Sequence, residues 1–253
     1  MIEDPVLLWS LVGTAAGIFL GLTGTGGGVI AIPILMTFGG YNIKEASAYS
    51  LLVLTFGATI SWFFQRENTV YPVAAVLILF ASIFAFISTP LKAISPNWLV
   101  NALLNLTCLF SLYSLWILRK TGDPDDNLSM IFRLKTASIG GAIMGFFSTM
   151  TGLGGGVLII PWLTGITRLA FDQAIACSLL TIAVTAPFSA WRQGNLNLST
   201  EAWISLIIPL IITSFIVKKL TSSVSHLHMI LVRKLTLTGV IIVSMMRTLA
   251  VLF

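Results

Sequence analysis

Long apolar runs separated by short polar segments make up most of the chain. Six of these runs have about the 20 residues that an α-helix needs to cross a hydrocarbon core roughly 30 Å thick. They cover approximately residues 46–64, 70–89, 98–118, 174–191, 202–217 and 235–253. Because the apolar residues are continuous rather than alternating, the pattern predicts transmembrane helices and not the strands of a β-barrel.

Two further apolar runs, at residues 5–38 and 134–165, are interrupted by glycine. The first contains GLTGTGGG at residues 21–28, and the second contains TGLGGG at residues 151–156. Each glycine costs roughly 1 kcal/mol relative to alanine in a helix interior, and one straight helix over the first run would be about 50 Å long. Such a run must tilt steeply or break and turn back. A broken or re-entrant helix is the more economical interpretation of each run.

The two glycine runs belong to an internal repeat with a spacing of 128 residues. Between residues 13 and 33, eleven of twenty-one positions carry the same residue 128 positions later. The matches resume downstream and include Ser50 with Ser178 and Gln65 with Gln193. The duplication predicts a first transmembrane repeat at 1–118, a polar linker at 119–135 and a second transmembrane repeat at 136–253.

Loop charges indicate how the two repeats lie in the membrane, because cytoplasmic loops are enriched in Lys and Arg. If each glycine-bearing segment crosses once, the loop Lys and Arg residues divide six against seven, which specifies no orientation. If each segment is re-entrant, they divide ten against three, with only Lys44, Lys92 and Arg192 on the minority side. The second arrangement is favoured, and it makes the repeats inverted with both termini outside the cytoplasm.

The predicted fold is therefore an all-α polytopic membrane protein of two inverted repeats. Each repeat has a broken or re-entrant glycine-interrupted helix and three transmembrane helices, which makes eight helical segments by simple count. The composition agrees, since 57% of the residues are hydrophobic and 9% are charged, against about 25% charged in soluble domains. No hydrophilic stretch is long enough for a soluble domain, which excludes a membrane-tethered soluble enzyme. The net charge of +5 is attributed to cytoplasmic loops rather than to nucleic-acid binding.

The glycine runs also predict a binding site for an anion. The first N–H groups of the short helix after each run have no intrahelical acceptor, and the positive end of the helix dipole adds to them. Glycine lets a small oxyanion reach this backbone, and two such ends converging from opposite repeats form one central site. The alternative is that glycine only allows close helix packing, which is the interpretation preferred for Gly13, Gly17 and Gly145.

The predicted substrate-binding residues come from both glycine runs and from the matched polar positions after them. Those in the runs are Thr23, Gly24, Thr25, Gly26, Gly27, Gly28, Thr151, Gly152, Gly154, Gly155 and Gly156. The second contributors are Ser50, Ser178, Gln65 and Gln193. For the two serines, a hydrogen bond to the backbone or to a neighbouring residue is an alternative of equal weight.

No catalytic site, metal site or cofactor is predicted. Cys108 and Cys177 lie in apolar runs as small hydrophobic residues, and His226 and His228 lie in a polar loop without companion ligands. No Asp or Glu lies deep in an apolar run, so no buried carboxylate proton relay is visible. If protons are co-transported, they travel on a weakly acidic substrate or use a residue at the edge of a span.

Two copies of a GxGGG-x4-P motif, at residues 24–33 and 152–161, resemble the TauE/SafE sulfite-exporter (TSUP) family of membrane permeases. The resemblance covers essentially the whole chain in length, duplication and motif placement. It implies transport of sulfur-containing anions such as sulfite, thiosulfate, sulfonates or sulfoacetate, and a multi-pass location in a bacterial-type cell (inner) membrane. Substrates vary within the family, so the resemblance leaves the anion and the direction of transport open.

Together these features predict a secondary transporter, a permease or exporter of small sulfur-containing anions that works by alternating access around the central site. The alternative is an anion channel of the same fold without coupled transport. An enzyme is not expected, because no nucleophile–base pair or metal cluster is visible. The predicted partners are a small anionic substrate, protons if transport is coupled to them, and the lipid bilayer, but no nucleic acid. Monomer and homodimer both stay open.

Overall fold

A computed structural model describes residues 4–23, 27–116, 128–194 and 198–221, together with positions 238, 239, 242 and 246. Within these residues the chain forms nine α-helices, one 3-10 helix at Arg66–Asn68 and no strand. The α-helices are α1 Pro5–Thr23, α2 Gly28–Phe38, α3 Ile43–Phe63, α4 Tyr71–Ile94, α5 Asn97–Trp116, α6 Met130–Thr151, α7 Gly156–Gly165, α8 Phe171–Arg192 and α9 Thr200–Thr221. The expected all-α fold is confirmed. The last predicted span, from residue 235, lies almost entirely outside the described residues.

In the part of the chain that the structure describes, five helices are long and apolar enough to cross a membrane. They are α3, α4, α6, α8 and the Thr200–Val217 part of α9. α5 covers the remaining predicted span of the first repeat. Ile83 and Ile87 of α4, four residues apart and therefore on one helix face, are 44% and 54% exposed. Such apolar exposure suits contact with lipid, and the polytopic membrane fold is confirmed.

Each glycine-interrupted run forms two helices rather than one, α1 with α2 and α6 with α7. The described part of the chain therefore has more helices than the simple count of eight segments. The starts of equivalent helices have the 128-residue spacing of the repeat. α2 and α7 begin at residues 28 and 156, and α3 and α8 begin at residues 43 and 171. α6 begins at Met130, inside the predicted linker. The division into 1–118, 119–135 and 136–253 stays a prediction, because residues 117–127 lie outside the described part.

Both helix pairs fold back on themselves. In the second pair, the indole N–H of Trp162 near the end of α7 donates to the Thr136 carbonyl near the start of α6 at 2.9 Å. A Cβ built on Gly155 before α7 would lie 2.5 Å from Met144 Cγ in the later part of α6. In the first pair, Trp9 of α1 contacts Tyr41 after α2, with ring centroids 6.4 Å apart. Each pair therefore enters and leaves on one face, as a re-entrant hairpin does.

The two repeats are inverted. Ser47, near the start of α3, and Gln193, at the end of α8, both accept hydrogen bonds from the Lys92 ammonium. At the other end of these helices, Cys177 Sγ of α8 lies 3.7 Å from the carbonyl oxygen of Val70, which follows α3. The equivalent helices α3 and α8 are therefore antiparallel, which is possible only if the repeats have opposite orientations.

Basic residues divide between the two ends of the helix bundle as the re-entrant arrangement predicts. Lys44, Lys92 and Arg192 line one cavity, and we call this end the Lys92 face. The crossing arrangement would have placed Arg192 at the opposite end from both lysines. We call the opposite end, where α3 ends and α8 begins, the Arg66 face. The described basic residues there are Arg66, Arg133, Lys135, Arg168 and Lys219.

The repeats are intertwined through close helix packing. α1 packs most extensively on α9, and α4 packs on α6, so the first helix of each repeat contacts the other repeat. Gly13 and Gly17 of α1 lie directly against the backbone of α9, and Gly145 of α6 lies against Ala81 of α4. A Cβ at any of these three glycines would overlap the neighbouring helix. The packing function predicted for them is confirmed.

Candidate functional site

The second glycine run forms a tight turn between α6 and α7. After Thr151, Gly152, Gly154 and Gly155 have φ angles of +77°, +81° and +67°. A side chain in this left-handed region costs roughly 1–2 kcal/mol per residue, whereas glycine adopts it readily. Three of the glycines predicted at this break are therefore required by the path of the backbone.

The start of α7 presents backbone donors at this turn. The helix begins at Gly156, and the Leu158 N–H is the first of this helix to donate to a carbonyl of the turn, that of Gly155 at 3.0 Å. The N–H groups at the start of a helix have no intrahelical acceptor, and they lie at the positive end of the helix dipole. The turn therefore has the electrostatic character that an anion requires.

Two of the predicted hydroxyl groups stabilise the backbone of this turn. Thr151 Oγ1 donates to the Phe147 carbonyl at 2.7 Å, a bond within its own helix. Ser50 Oγ is fully buried and lies 2.7 Å from the Gly152 carbonyl oxygen and 2.8 Å from that of Ser47. A hydroxyl carries a single proton, so Ser50 donates fully to only one of these oxygens at a time. It connects α3 to the glycine break.

The first glycine run lies against the second. Gly24, Thr25, Gly26 and the side chain of Thr23 lie outside the described residues. Gly27 precedes α2, and a Cβ built on the next residue, Gly28, would lie 2.7 Å from the Gly152 carbonyl oxygen and 2.8 Å from Leu54 Cδ1. Leu54 lies halfway along α3. The two helix breaks therefore meet at about the middle depth of the bundle.

Three buried hydroxyl groups have no hydrogen-bond partner within the described part of the chain, those of Ser111, Thr167 and Ser178. Two of them, Ser111 and Ser178, lie in the helices α5 and α8. Ser111 of α5 lines a cavity of about 10 Å³ together with Thr107 and Gly155, which is roughly the space of one water molecule. Ser178 occupies in α8 the position that Ser50 occupies in α3. Leaving a buried hydroxyl unpaired costs about 1–3 kcal/mol, so a new hydrogen bond to either group would be favourable. Sequence reasoning did not identify Ser111.

A larger cavity of about 320 Å³ lies at the Lys92 face. It is bordered by the start of α3 and by the ends of α4 and α8. Its polar and charged lining residues are Tyr41, Lys44, Glu45, Tyr49, Thr89, Lys92, Arg192 and Gln193. Three of these carry positive charge and one carries negative charge. Burial, together with the Glu45 carboxylate, raises the pKa of the Tyr41 phenol, so this residue stays a neutral hydrogen-bond donor at pH 7. The cavity is therefore predominantly cationic.

Each cation of this cavity is held in a different way. Lys44 Nζ donates to the Ala93 carbonyl at 3.0 Å, and the Arg192 guanidinium lies 4.0 Å from the ring centroid of Phe86. Lys92 is only 3% exposed, and its ammonium donates to two neutral acceptors, Ser47 Oγ and Gln193 Oε1. Lys92 therefore forms the floor of the cavity.

A chain of hydrogen bonds leads from this floor to the second glycine break. Gln193, which accepts from Lys92, donates from Nε2 to the carbonyl oxygen of Thr149 at 3.3 Å. On the other side, Ser47 accepts from Lys92, and its own carbonyl oxygen lies 2.8 Å from Ser50 Oγ. The cavity and the break are therefore parts of one polar region.

The polar residues predicted to bind substrate together with the glycine runs lie in different parts of the structure. Ser50 contacts the glycine break and Gln193 lines the cavity, whereas Gln65 lies at the far end of α3 on the Arg66 face. Sequence analysis counted Lys92 only as a basic loop residue and gave it no role in the site. One signal could have identified it, because Lys92 is one of the three basic residues on the minority side of the charge count.

Residues 9–246 of this chain match the protein family described as sulfite exporter TauE/SafE. The matched region includes both glycine runs and all nine helices of the described part, apart from the first turn of α1. The chain belongs to the TauE/SafE family. The family resemblance carried by the duplicated glycine motif is confirmed.

Two relatives of this TauE/SafE protein are named as transporters. A probable membrane transporter protein of Methanocaldococcus jannaschii is 26% identical over 245 residues, which is 89% of each chain. A probable membrane transporter protein of Xylella fastidiosa is 28% identical over 183 residues, which is 67% of each chain. No solved structure matches the sequence significantly.

Membership of the TauE/SafE family and the apolar helices together identify a multi-pass membrane transporter. Relatives that are named as transporters imply a permease rather than an enzyme. Among the described residues, no group of three or more His, Cys, Asp and Glu side chains could hold a metal ion. His226 and His228 lie outside those residues.

Proposed function

We propose that this TauE/SafE protein is a secondary transporter, a permease or exporter of small sulfur-containing anions such as sulfite, thiosulfate or organosulfonates. It works by alternating access around a central site at the two glycine breaks. The observation that carries the proposal is the approach of Gly28 to Gly152, which brings together helix breaks from opposite repeats. Family membership supports sulfur-containing anions as the cargo.

Backbone donors make this site suitable for an anion. α2 begins at Gly28 and α7 at Gly156, and the start of each helix carries N–H groups without intrahelical acceptors and a positive partial charge. Discontinuous helices in inverted repeats form the substrate sites of many secondary transporters. The buried, unpartnered hydroxyls of Ser111 and Ser178 supply further donors to an oxyanion.

The cavity supports a transporter over a channel. It opens at the Lys92 face and ends where Lys92 meets Ser47 and Gln193. A site that is reached from one face at a time is what alternating access requires. A channel needs a continuous path, and its flux would neither saturate at low substrate concentration nor show counterflow.

Charge distribution supports an orientation in the cell (inner) membrane. Cytoplasmic loops are enriched in Lys and Arg, and more of the described basic residues lie at the Arg66 face than at the Lys92 face. The Arg66 face is therefore assigned to the cytoplasm, and the cavity opens to the outside. The N-terminal end of α1 lies on the same outer side, because Trp9 contacts Tyr41 at the cavity.

Flux into proteoliposomes tests this function. The full chain is reconstituted and assayed with radiolabelled sulfite, thiosulfate, sulfoacetate, taurine and sulfate. We expect saturable uptake and counterflow for at least one sulfur-containing anion. Absence of flux for all five, or flux that is linear in concentration without counterflow, would overturn the proposal.

A glycine variant locates the site within the same assay. Gly28→Ala adds a methyl group 2.7 Å from the Gly152 carbonyl oxygen, and we expect it to reduce flux at least tenfold while the protein remains folded. Gly239→Ala is the matched control, because a Cβ there meets nothing within 4 Å. Normal flux by folded Gly28→Ala would contradict a central site at the breaks.

A further inference from the structure

The ammonium of Lys92 is a buried positive charge that lies where α3, α4 and the end of α8 meet. Lys92 lies in α4, two residues before the final residue of this span, and is 3% exposed. A charged side chain inside the membrane region is costly, and such residues are usually functional. Both hydrogen-bond partners recorded for this ammonium, Ser47 and Gln193, are neutral. The charge itself is therefore uncompensated by its direct partners.

The charged residues around Lys92 increase the positive potential in the cavity, which favours binding of an anion. Lys44 and Arg192 line the same cavity and add positive potential to that of Lys92. Glu45 is the acidic residue of this lining, but its carboxylate accepts a hydrogen bond from the Asn42 backbone N–H at 3.1 Å as part of the helix cap of α3. Buried charges are stable when they are paired and hydrogen-bonded. A small anion entering the cavity would supply the pairing that the protein does not.

We propose that Lys92 binds the oxyanion of the substrate at the floor of the cavity, exchanging Ser47 and Gln193 for substrate oxygens. This inference rests on the proposed function and names the residue that supplies the counter-charge. The ligand is a small anion with a sulfite-like or sulfonate group, because an ammonium donates well to several charged oxygens at once.

The exchange links substrate binding to the glycine break. Ser47 is released when Lys92 turns to the substrate, and Ser47 belongs to the same helix turn as Ser50, which contacts Gly152. Gln193, released at the same time, is bonded to the Thr149 carbonyl beside that break. The bound anion therefore loosens the bonds that separate the cavity from the central site.

The Lys92 site occurs only once, although the chain contains two repeats. At the 128-residue spacing, the positions that correspond to Lys92, Ser47 and Gln193 are Leu220, Ile175 and Gln65. Only the glutamine recurs, so the ammonium and its hydroxyl partner have no equivalent at those positions. Lys92 consequently favours anion binding from the Lys92 face, and no lysine occupies the equivalent position of the second repeat.

Equilibrium binding to the purified full chain in nanodiscs tests the proposal separately from transport. Binding of radiolabelled sulfite is compared for wild type, Lys92→Met, Lys92→Arg and the control Lys135→Met, an exposed lysine on the Arg66 face. We expect Lys92→Met to weaken binding at least tenfold, Lys92→Arg to retain most of it because the charge remains, and Lys135→Met to match wild type. Unchanged binding by folded Lys92→Met overturns this inference while leaving the proposed function intact.

A second variant tests the role of Lys92 if Lys92→Met does not fold. Ser47→Ala removes an acceptor that competes with the substrate for Lys92, so the proposal predicts that sulfite binding is maintained or strengthened. A tenfold or greater loss would show that the Ser47 hydroxyl rather than Lys92 provides the binding energy and would overturn the inference. If wild type itself neither binds nor transports any anion of the flux panel, the proposed function fails instead.

Discussion

Replacing Gly152 with alanine perturbs the most constrained point of the second helix break. Gly152 has a φ of +77°, and an added Cβ would lie 2.5 Å from the Ser47 carbonyl oxygen and 2.6 Å from Ser50 Oγ. The Ser47 carbonyl belongs to the backbone of α3, a helix of 21 residues. It cannot move aside as the end of a flexible side chain can, so the substitution must strain either the turn or α3.

The expected cost follows from these two effects. A left-handed φ costs alanine about 1–2 kcal/mol, and overpacking a close-packed interior costs about 1–3 kcal/mol. Together they predict a loss of about 2–5 kcal/mol in the free energy of unfolding. Loss of the hydrogen bond between Ser50 and Gly152 would add about 1 kcal/mol to this cost.

Tryptophan fluorescence during unfolding by denaturing detergent measures this loss. Gly239→Ala serves as the control, because its added Cβ meets nothing within 4 Å and no left-handed φ is involved, and we expect it to stay within about 0.5 kcal/mol of wild type. A Gly152→Ala protein that unfolds within that same margin would refute the reasoning, since neither strain nor overlap could then be present at the break.

Two further predictions concern the hydroxyl groups and the orientation. Ser178→Ala raises the free energy of unfolding by about 1–3 kcal/mol because it removes an unpaired buried hydroxyl, whereas Ser50→Ala lowers it by about 1 kcal/mol because a hydrogen bond is lost. Equal losses in the same unfolding assay would contradict this difference. Cysteine introduced at Lys44 reacts with a membrane-impermeant maleimide added to intact cells, and cysteine at Lys135 does not. Labelling at Lys135 alone would reverse the assigned orientation.

Helices and breaks were predictable because they depend on local properties of the chain. Apolar runs of spanning length predicted α3, α4, α5, α8 and α9, since hydropathy over about 20 residues reflects the thickness of a bilayer. Repeated glycine predicted the interruptions before α2 and α7, because glycine weakens a helix wherever it occurs. The boundary of α6 was less accurate, since Met130 lies in a segment whose polar residues indicated a linker.

The candidate site was only partly predictable. Gln65 and Gln193 are equivalent in sequence, yet inversion of the repeats places them at opposite ends of the bundle, and only Gln193 lines the cavity. Ser111 has no counterpart in the repeat or the glycine motif, and Lys92 was marked only by its place on the minority side of the charge count. Contributions from Gly24, Thr25 and Gly26 stay predictions.

The membrane class, the duplication and the two helix breaks follow from the amino-acid sequence alone. The inverted arrangement of the repeats also follows from it, through the unequal distribution of Lys and Arg. These properties are set by residues close together in the chain or by sums over many residues. The contacts of Gly28 with Gly152, and of Lys92 with Ser47 and Gln193, become visible only in the folded protein. Such contacts join residues about 45 to 125 positions apart, and they depend on how α3, α4 and α8 pack, which local hydropathy and helix propensity do not specify.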